Sequence, residues 1–316
     1  MKFCNTSSDV LFNIFNKINS NLAYFDVSHD IEILHLKDSN EFESKINKQL
    51  EKKIKPMEPT FEILNLGNNE NSHIIKIVLT LDEKERKDPK EFLTKFQEVF
   101  AWSYEDMFGI DPKIAQHHID TYAHMVPVKK NLKCIRIGWL LKIKEKVTKQ
   151  LKVGFIKPVH QAEWIANVVP IPKKDGKVRM CVDFRDLNKA CPKDDFLFPH
   201  IDVLVDNMAG NALMSFMDGF LRYNQIKMAL RDMTKTTFTI EWRIYCYTVM
   251  SFRLKNASAT YQRMAITSIH NMMHNKVEVY VDDIIVKSKD REGHIFKLRK
   301  FFKRIKEYRL RLNPKK

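Results

Sequence analysis

Two carboxylates stand side by side inside an apolar run, Asp282 and Asp283 of Val-Glu-Val-Tyr-Val-Asp-Asp-Ile-Ile-Val (277–286). Strand interiors disfavour Asp, and two adjacent like charges resist joint ionisation unless a cation shares them. The pair is either a solvated hairpin tip or part of a metal site. A further aspartate, Asp218, closes the strand-like run Leu-Met-Ser-Phe-Met-Asp (213–218). His117 and His118 are adjacent, lack metal-ligand spacing and are read as surface.

The elements around these residues follow from periodicity. Val277–Val281 and Ile284–Val286 read as two short β-branched strands with the aspartates at the turn between them. Residues 167–172 and 177–184 form a hairpin signal, with Asp175-Gly176 as the tight turn. In its second strand Val178, Met180, Val182 and Phe184 share one face; Arg179, Cys181 and Asp183 share the other. Helical spacing recurs at Phe92, Phe96 and Val99/Phe100, and at Leu140, Ile143, Val147 and Leu151. It returns at Tyr261, Met264/Ala265, Ile269 and Met272. A last helix presents Ile295, Leu298, Phe302 and Ile305 inward until Asn313-Pro314 ends it. Strands and helices mixed without strict alternation predict an α+β fold, with helices packed on a mainly antiparallel sheet.

Composition narrows the function. At 316 residues and 44% apolar content the chain can bury a core in two or three subdomains. No stretch reaches the roughly 18 apolar residues of a membrane span. Five scattered cysteines without a Cys-x-x-Cys pair argue for a reducing compartment and against a zinc module. The formal charge is +15. It is concentrated at 129–157, with ten Lys/Arg against Glu145, and at 287–316, with thirteen against Asp290, Glu292 and Glu307. One-signed blocks of this kind point to a polyanion partner. Only 8 glycines occur, where average usage gives roughly 22. No glycine-rich phosphate loop is present.

Four ordered segments resemble reverse transcriptases. "YVDD" (280–283) looks like the family's central motif, and "FMDGFLRYNQIKM" (216–228) resembles the motif with the first metal-binding aspartate. "FRLKNASATYQR" (252–263) resembles the nucleotide-pocket loop and helix, and "PIPKKDGKVRMCVDFRDLNKA" (170–190) the fingers hairpin. The wording, including "AWSYEDM" (101–107), is most similar to Pol polyproteins of plant gypsy-type LTR retrotransposons. The resemblance runs from about Leu81 onward.

This resemblance implies an RNA-directed DNA polymerase with fingers and palm subdomains, working on a primed RNA or DNA template with dNTPs. It implies two Mg²⁺ ions, or Mn²⁺, held by carboxylates. Asp218 and Asp282 rank as primary ligands and Asp283 as supporting, since neighbouring strand residues point to opposite faces. Tyr223 resembles the residue beneath the nucleotide sugar. Lys173, Lys174 and Arg179 resemble the triphosphate-binding fingers residues, and Gln262 matches the pocket helix. The implied organisation is a loosely structured leader or linker at 1–90, a helical part at 91–160, and fingers and palm at 161–316. The thumb and later regions are expected to be absent. A cytoplasmic, particle-associated location with nuclear access is implied, without membrane attachment.

The chain departs from the family pattern at several places. Leu221-Arg222-Tyr223 stands for Ser-Gly-Tyr, and Ser251-Phe252-Arg253-Leu254 for Pro-Phe-Gly-Leu. Gly is usual at Arg243 and Ser258, and Pro at Leu197 and Leu230. Each change is one C→T or G→A transition away, as in a decaying, methylated genomic copy. A nucleic-acid-binding remnant without turnover is therefore the rival to an active polymerase. Arg253 is expected to strain its loop or obstruct the pocket, because glycine there allows a left-handed backbone.

Overall fold

The computed structural model describes residues 2–5, 61–67, 73–78, 90–172, 176–280, 283–290 and 293–314. In chain order they form β1 (Lys2–Asn5), β2 (Phe61–Asn65), β3 (Ile74–Val78), β4 (Gln116–His117), α1 (Ile137–Lys152), β5 (Ile156–Pro158), β6 (Ala166–Pro172) and β7 (Val178–Val182). There follow α2 (Arg185–Ala190), α3 (Ile201–Met208), β8 (Leu213–Asp218), β9 (Lys227–Met228), β10 (Phe238–Ile240) and β11 (Arg243–Tyr247). Last come α4 (Ala257–Ile269), β12 (Val277–Tyr280), β13 (Asp283–Ser288) and α5 (His294–Glu307). Among the described residues no helix is long and apolar enough to cross a membrane.

Two sheets organise the α+β fold. The first runs β1-β8-β13-β12 and is antiparallel throughout. The second runs β5-β11-β10-β6-β7, with one parallel pairing between β10 and β6. In the first sheet, Met217, Ile284, Val286, Val277 and Val279 face the main core, where Leu298, Phe301, Phe302 and Ile305 of α5 pack. The opposite face presents Met214 and Ile285 to Leu204 and Met208 of α3. Every described position of β13 is buried, so this strand lies between two packed layers.

Several elements differ in extent from the sequence reading. The last helix stops at Glu307, not at Asn313-Pro314. Leu310 N–H bonds back to the Ile305 carbonyl and Arg309 N–H to Lys306, with Arg309 left-handed at φ +56°. That six-to-one closure ends the helix and releases 310–313 as extended chain. Gly154, at φ +74°, closes α1 by the same pattern, with Phe155 N–H on Gln150. In β7, Arg179 is exposed as expected but Cys181 is buried, because the strand's polar face passes into the interior along its length.

Within 1–90, β2 pairs antiparallel with β3, and Leu66 and Ile75 beside that hairpin join the main core. β1 adds an edge strand to the first sheet, Lys2 opposite Phe216 through Asn5 opposite Leu213.

Candidate active site

Asp218 ends β8 and Asp283 begins β13, and the register sets them directly opposite each other. Directly opposed residues of an antiparallel pair share a face, with Cα atoms about 4.5–5.5 Å apart. Tyr280 of β12 is opposite Asp283 on its other side. Both carboxylates are nearly buried, at 7% and 6% exposure, which keeps bulk water from screening them. The sequence reading paired Asp218 with Asp282, and Asp282 lies outside the described residues. It also set Asp283 in the turn, whereas Asp283 belongs to the strand, and this places it across from Asp218.

Among the described residues no group of three or more His, Cys, Asp or Glu could hold a metal. Two facing carboxylates still fit Mg²⁺, which typically takes one or two of them and completes its shell with water and substrate phosphates. Hard oxygen donors without nitrogen or sulfur favour that ion class.

The end of β8 is tied down by distant chain. Asn313 N–H donates to the Asp218 carbonyl at 2.8 Å, and Phe220 N–H to Arg311 at 2.9 Å. Gln225, buried, donates to the carbonyls of Phe220 and Arg311 and accepts from Arg311 N–H, at 2.7–2.9 Å. Gly219 is required by close approach, since a Cβ there would stand 2.9 Å from the Tyr261 hydroxyl and 3.1 Å from Arg222 Cβ. The sequence signals Gln225 only by the "NQ" after Tyr223, and it marks Asn313-Pro314 as a helix end without its tie to Asp218.

Tyr223 sits in a 3₁₀ turn at Arg222–Gln225 that follows left-handed Leu221, φ +44°. Its ring lies edge-on to Tyr261 and near Phe252, each at 6.0 Å between centroids. Two departures from the family pattern grip it. The Arg222 guanidinium covers the ring at 4.5 Å and donates to its hydroxyl at 3.3 Å, while the Ser258 hydroxyl is 2.9 Å away. The left-handed residue here is Leu221, one position before Arg222.

The loop opening α4 is laced to α2 and the chain after it. Asn188 donates to the Arg253 carbonyl at 2.9 Å and accepts from Lys255 N–H at 3.0 Å. Asn256 bridges Pro192 and Asp194, and Lys255 Nζ reaches the Cys191 carbonyl at 2.6 Å. Arg253 holds φ +75° with its side chain exposed, so the strain arises in the backbone.

Other predicted residues are distributed differently. Gln262 is fully buried and donates to the Val279 carbonyl at 2.9 Å, tying α4 to the strand beside Asp283. Arg179 projects from the second sheet. Lys173 and Lys174 lie outside the described residues. The reading of His117 as surface is overturned: it is buried against Thr260 at 2.9 Å, and burial, then its neighbour His118, lowers its pKa to about 4. His118 is the exposed member of the pair. The basic blocks fall partly on α1 and α5, where Lys142, Lys144, Lys149, Arg299, Lys300 and Lys303 are exposed.

Residues 171–316 match the family described as reverse transcriptase (RNA-dependent DNA polymerase). A Caenorhabditis elegans protein is 29% identical over 259 residues, 80% of this chain and 20% of that protein. The retrovirus-related Pol polyprotein from transposon 297 of Drosophila melanogaster is 23% identical over 236 residues, 73% and 22% of the two chains. The chain thus spans about a fifth of the length of these relatives. Native prototype foamy virus protease-reverse transcriptase superposes with TM-score 0.68 at 22% identity, over 75% of this chain and 31% of that one. A foamy viral protease-reverse transcriptase in complex with an RNA/DNA hybrid gives 0.64 at 21% identity, over 74% and 31%. Residues 171–316 thus resemble reverse transcriptases, and three quarters of the chain shares its fold with the foamy viral structure.

Proposed function

We propose that the chain supplies the fingers and palm of an RNA-directed DNA polymerase that adds dNTPs to a primer 3′-hydroxyl on an RNA or DNA template. The observation that carries this reading is Asp218 directly opposite Asp283 at one end of the antiparallel sheet. These two, with Asp282, would hold Mg²⁺ or Mn²⁺. When bound, a metal pair lowers the barrier by activating the attacking oxygen and neutralising the leaving one.

The chain's own residues do the positioning. The hydrogen bond from Asn313 and the amide of Gln225 fix the end of β8, so Asp218 is presented on rigid backbone. Tyr223, backed by Tyr261, forms the surface on which a nucleotide sugar would rest. Arg179, with Lys173 and Lys174, is assigned to the triphosphate. Gln262, which ties the pocket helix to Val279 of the hairpin, is assigned to the nucleotide pocket. The exposed lysines and arginines of α1 and α5 suit phosphate backbone, a sequence-tolerant and salt-sensitive mode of binding. The foamy viral relative with its bound RNA/DNA hybrid supports a nucleic-acid partner. The finer origin, a decaying plant gypsy-type copy, is tested by sequencing the locus; intact relatives without a transition excess at the departing codons would remove it.

Template-directed incorporation of dTTP on poly(rA)·oligo(dT) with Mg²⁺ tests the activity, with Asp218→Asn as control. Incorporation that is lost in that variant is the expected result; incorporation that survives in it overturns the site. A second reading, nucleic-acid binding without turnover, is favoured by one set of observations. Arg253 and Leu221 hold left-handed backbone, and Arg222 and Ser258 occupy the Tyr223 hydroxyl. Salt-dependent binding with no incorporation, restored by Arg222→Gly with Arg253→Gly, identifies that state.

A further inference from the structure

The strand that carries Asp283 reads Asp-Ile-Ile-Val-Lys-Ser and is buried on both faces. Ile284 and Val286 face the main core, and Ile285 faces α3. Three consecutive apolar residues satisfy either face equally, so hydrophobicity alone does not distinguish this register from one shifted by a single residue. A one-residue shift would turn Asp283 away from Asp218 and abolish the facing carboxylates. Some other interaction must choose.

Two charged residues interrupt the apolar pattern on the α3 face. Glu278 of β12 is opposite Ile285, and Lys287 lies two residues further along β13, so the two are diagonal neighbours on one face. Both are buried, and Lys287 Nζ donates to Glu278 Oε1 at 2.7 Å. Lys287 Nζ also reaches the Asn207 carbonyl near the end of α3 at 2.6 Å. The second oxygen of Glu278 is met by His274 Nδ1 at 3.2 Å. A lysine has three donors and a carboxylate four acceptor sites, and this arrangement uses partners from three elements.

We infer that the buried Glu278–Lys287 pair, anchored to the Asn207 carbonyl, sets the hairpin register that places Asp283 opposite Asp218. In the shifted register Lys287 would enter the main core without Glu278 or Asn207, a buried cation with no compensation. Both residues are positioning residues: they touch neither substrate nor reacting atoms. The inference rests on the proposed role of Asp218 and Asp283 for its functional consequence, but the register itself is measurable without it.

The test compares the wild-type chain with Glu278→Met/Lys287→Met, which removes both charges together and so leaves no unpaired ion to prevent folding. Amide hydrogen exchange over 213–218 and 277–288 reads the ladder, with α5 as internal reference. Exchange about tenfold faster at the Asp218/Asp283 end, with α5 unchanged, is expected as the register becomes mixed. Mn²⁺ affinity is expected to fall about fivefold or more in parallel, as for other residues that orient metal ligands. Wild-type-like exchange over the ladder in the folded double variant overturns the inference. If wild-type chain binds no Mn²⁺, the polymerase site fails, and the exchange comparison still decides the register. If the double variant does not fold, Glu278→Gln/Lys287→Gln, which also leaves no buried ion, replaces it, judged by the same exchange criterion.

Discussion

The carboxylate end of the first sheet and the wall of the proposed nucleotide pocket are built on different principles. At the carboxylate end, Asp218 and Asp283 are held by strand pairing, by Gln225 and by 311–313, with ordinary extended backbone. At the pocket wall, Leu221 and Arg253 hold two of the four left-handed non-glycine positions among the described residues. Side chains absent from the family pattern also grip Tyr223 there. The facing carboxylates thus rest on unstrained backbone, while the proposed pocket wall carries left-handed non-glycine residues. Substitutions at the two places should therefore act on different quantities.

The largest effect is expected at the carboxylates. Asp218→Asn and Asp283→Asn should each bring incorporation below detection while template affinity, measured by fluorescence anisotropy, stays near wild type, because the proposed phosphate contacts lie on the basic helices. Equal loss of template binding would show that the two functions are not separable.

Acid should weaken both regions, because each contains a buried neutral histidine. His294 bonds Ser215 of β8 at 2.7 Å, three residues before Asp218, and His117 bonds Thr260 of α4 beside the pocket. Burial lowers each pKa from 6.5 to about 4. Between those values the unfolded chain binds more protons than the folded one, so stability present above pH 6.5 is lost as pH falls toward 4. The loss is about 3 kcal/mol for each histidine over that window. Thermal melts from pH 7 to 4 check this; an unchanged slope in His294→Gln would remove that residue from the account.

At the pocket wall, Arg253→Gly should raise stability by ~1 kcal/mol, since glycine accepts φ +75° without a Cβ penalty and the Arg side chain is exposed. Chemical denaturation reads it, and a destabilised variant would show that the Arg side chain matters more than its backbone. The smallest effect is expected for Ser258→Gly, which removes one hydroxyl contact to Tyr223 worth about 1 kcal/mol at most. A few-fold change in dNTP binding without change at Asp218 would sharpen the contrast between the two regions.

Local patterns in the sequence made much of this readable. β-branched runs defined β12 and β13, and Met-Asp at 217–218 marked the end of β8. The boundary of the turn was harder, because two adjacent aspartates look alike to periodicity; only pairing with β8 distinguishes Asp283. Asn188 acts on Arg253 at 65 residues' separation, Gln225 on Arg311 at 86, and Asn313 on the distant Asp218, none of which a local pattern encodes. His117 was misread because its burial depends on Thr260 in a distant helix. The β2–β3 hairpin is flanked by polar sequence that obscures its pattern, although Leu66 and Ile75 join the core.

Mn²⁺ binding by the purified chain, followed by electron paramagnetic resonance with Asp218→Asn and Asp283→Asn as comparisons, is the most direct test of the facing carboxylates. Saturable binding in the wild-type chain that is lost in both variants is the predicted result. Equal Mn²⁺ binding by wild type and both variants would contradict the assignment of this strand pair as the metal site.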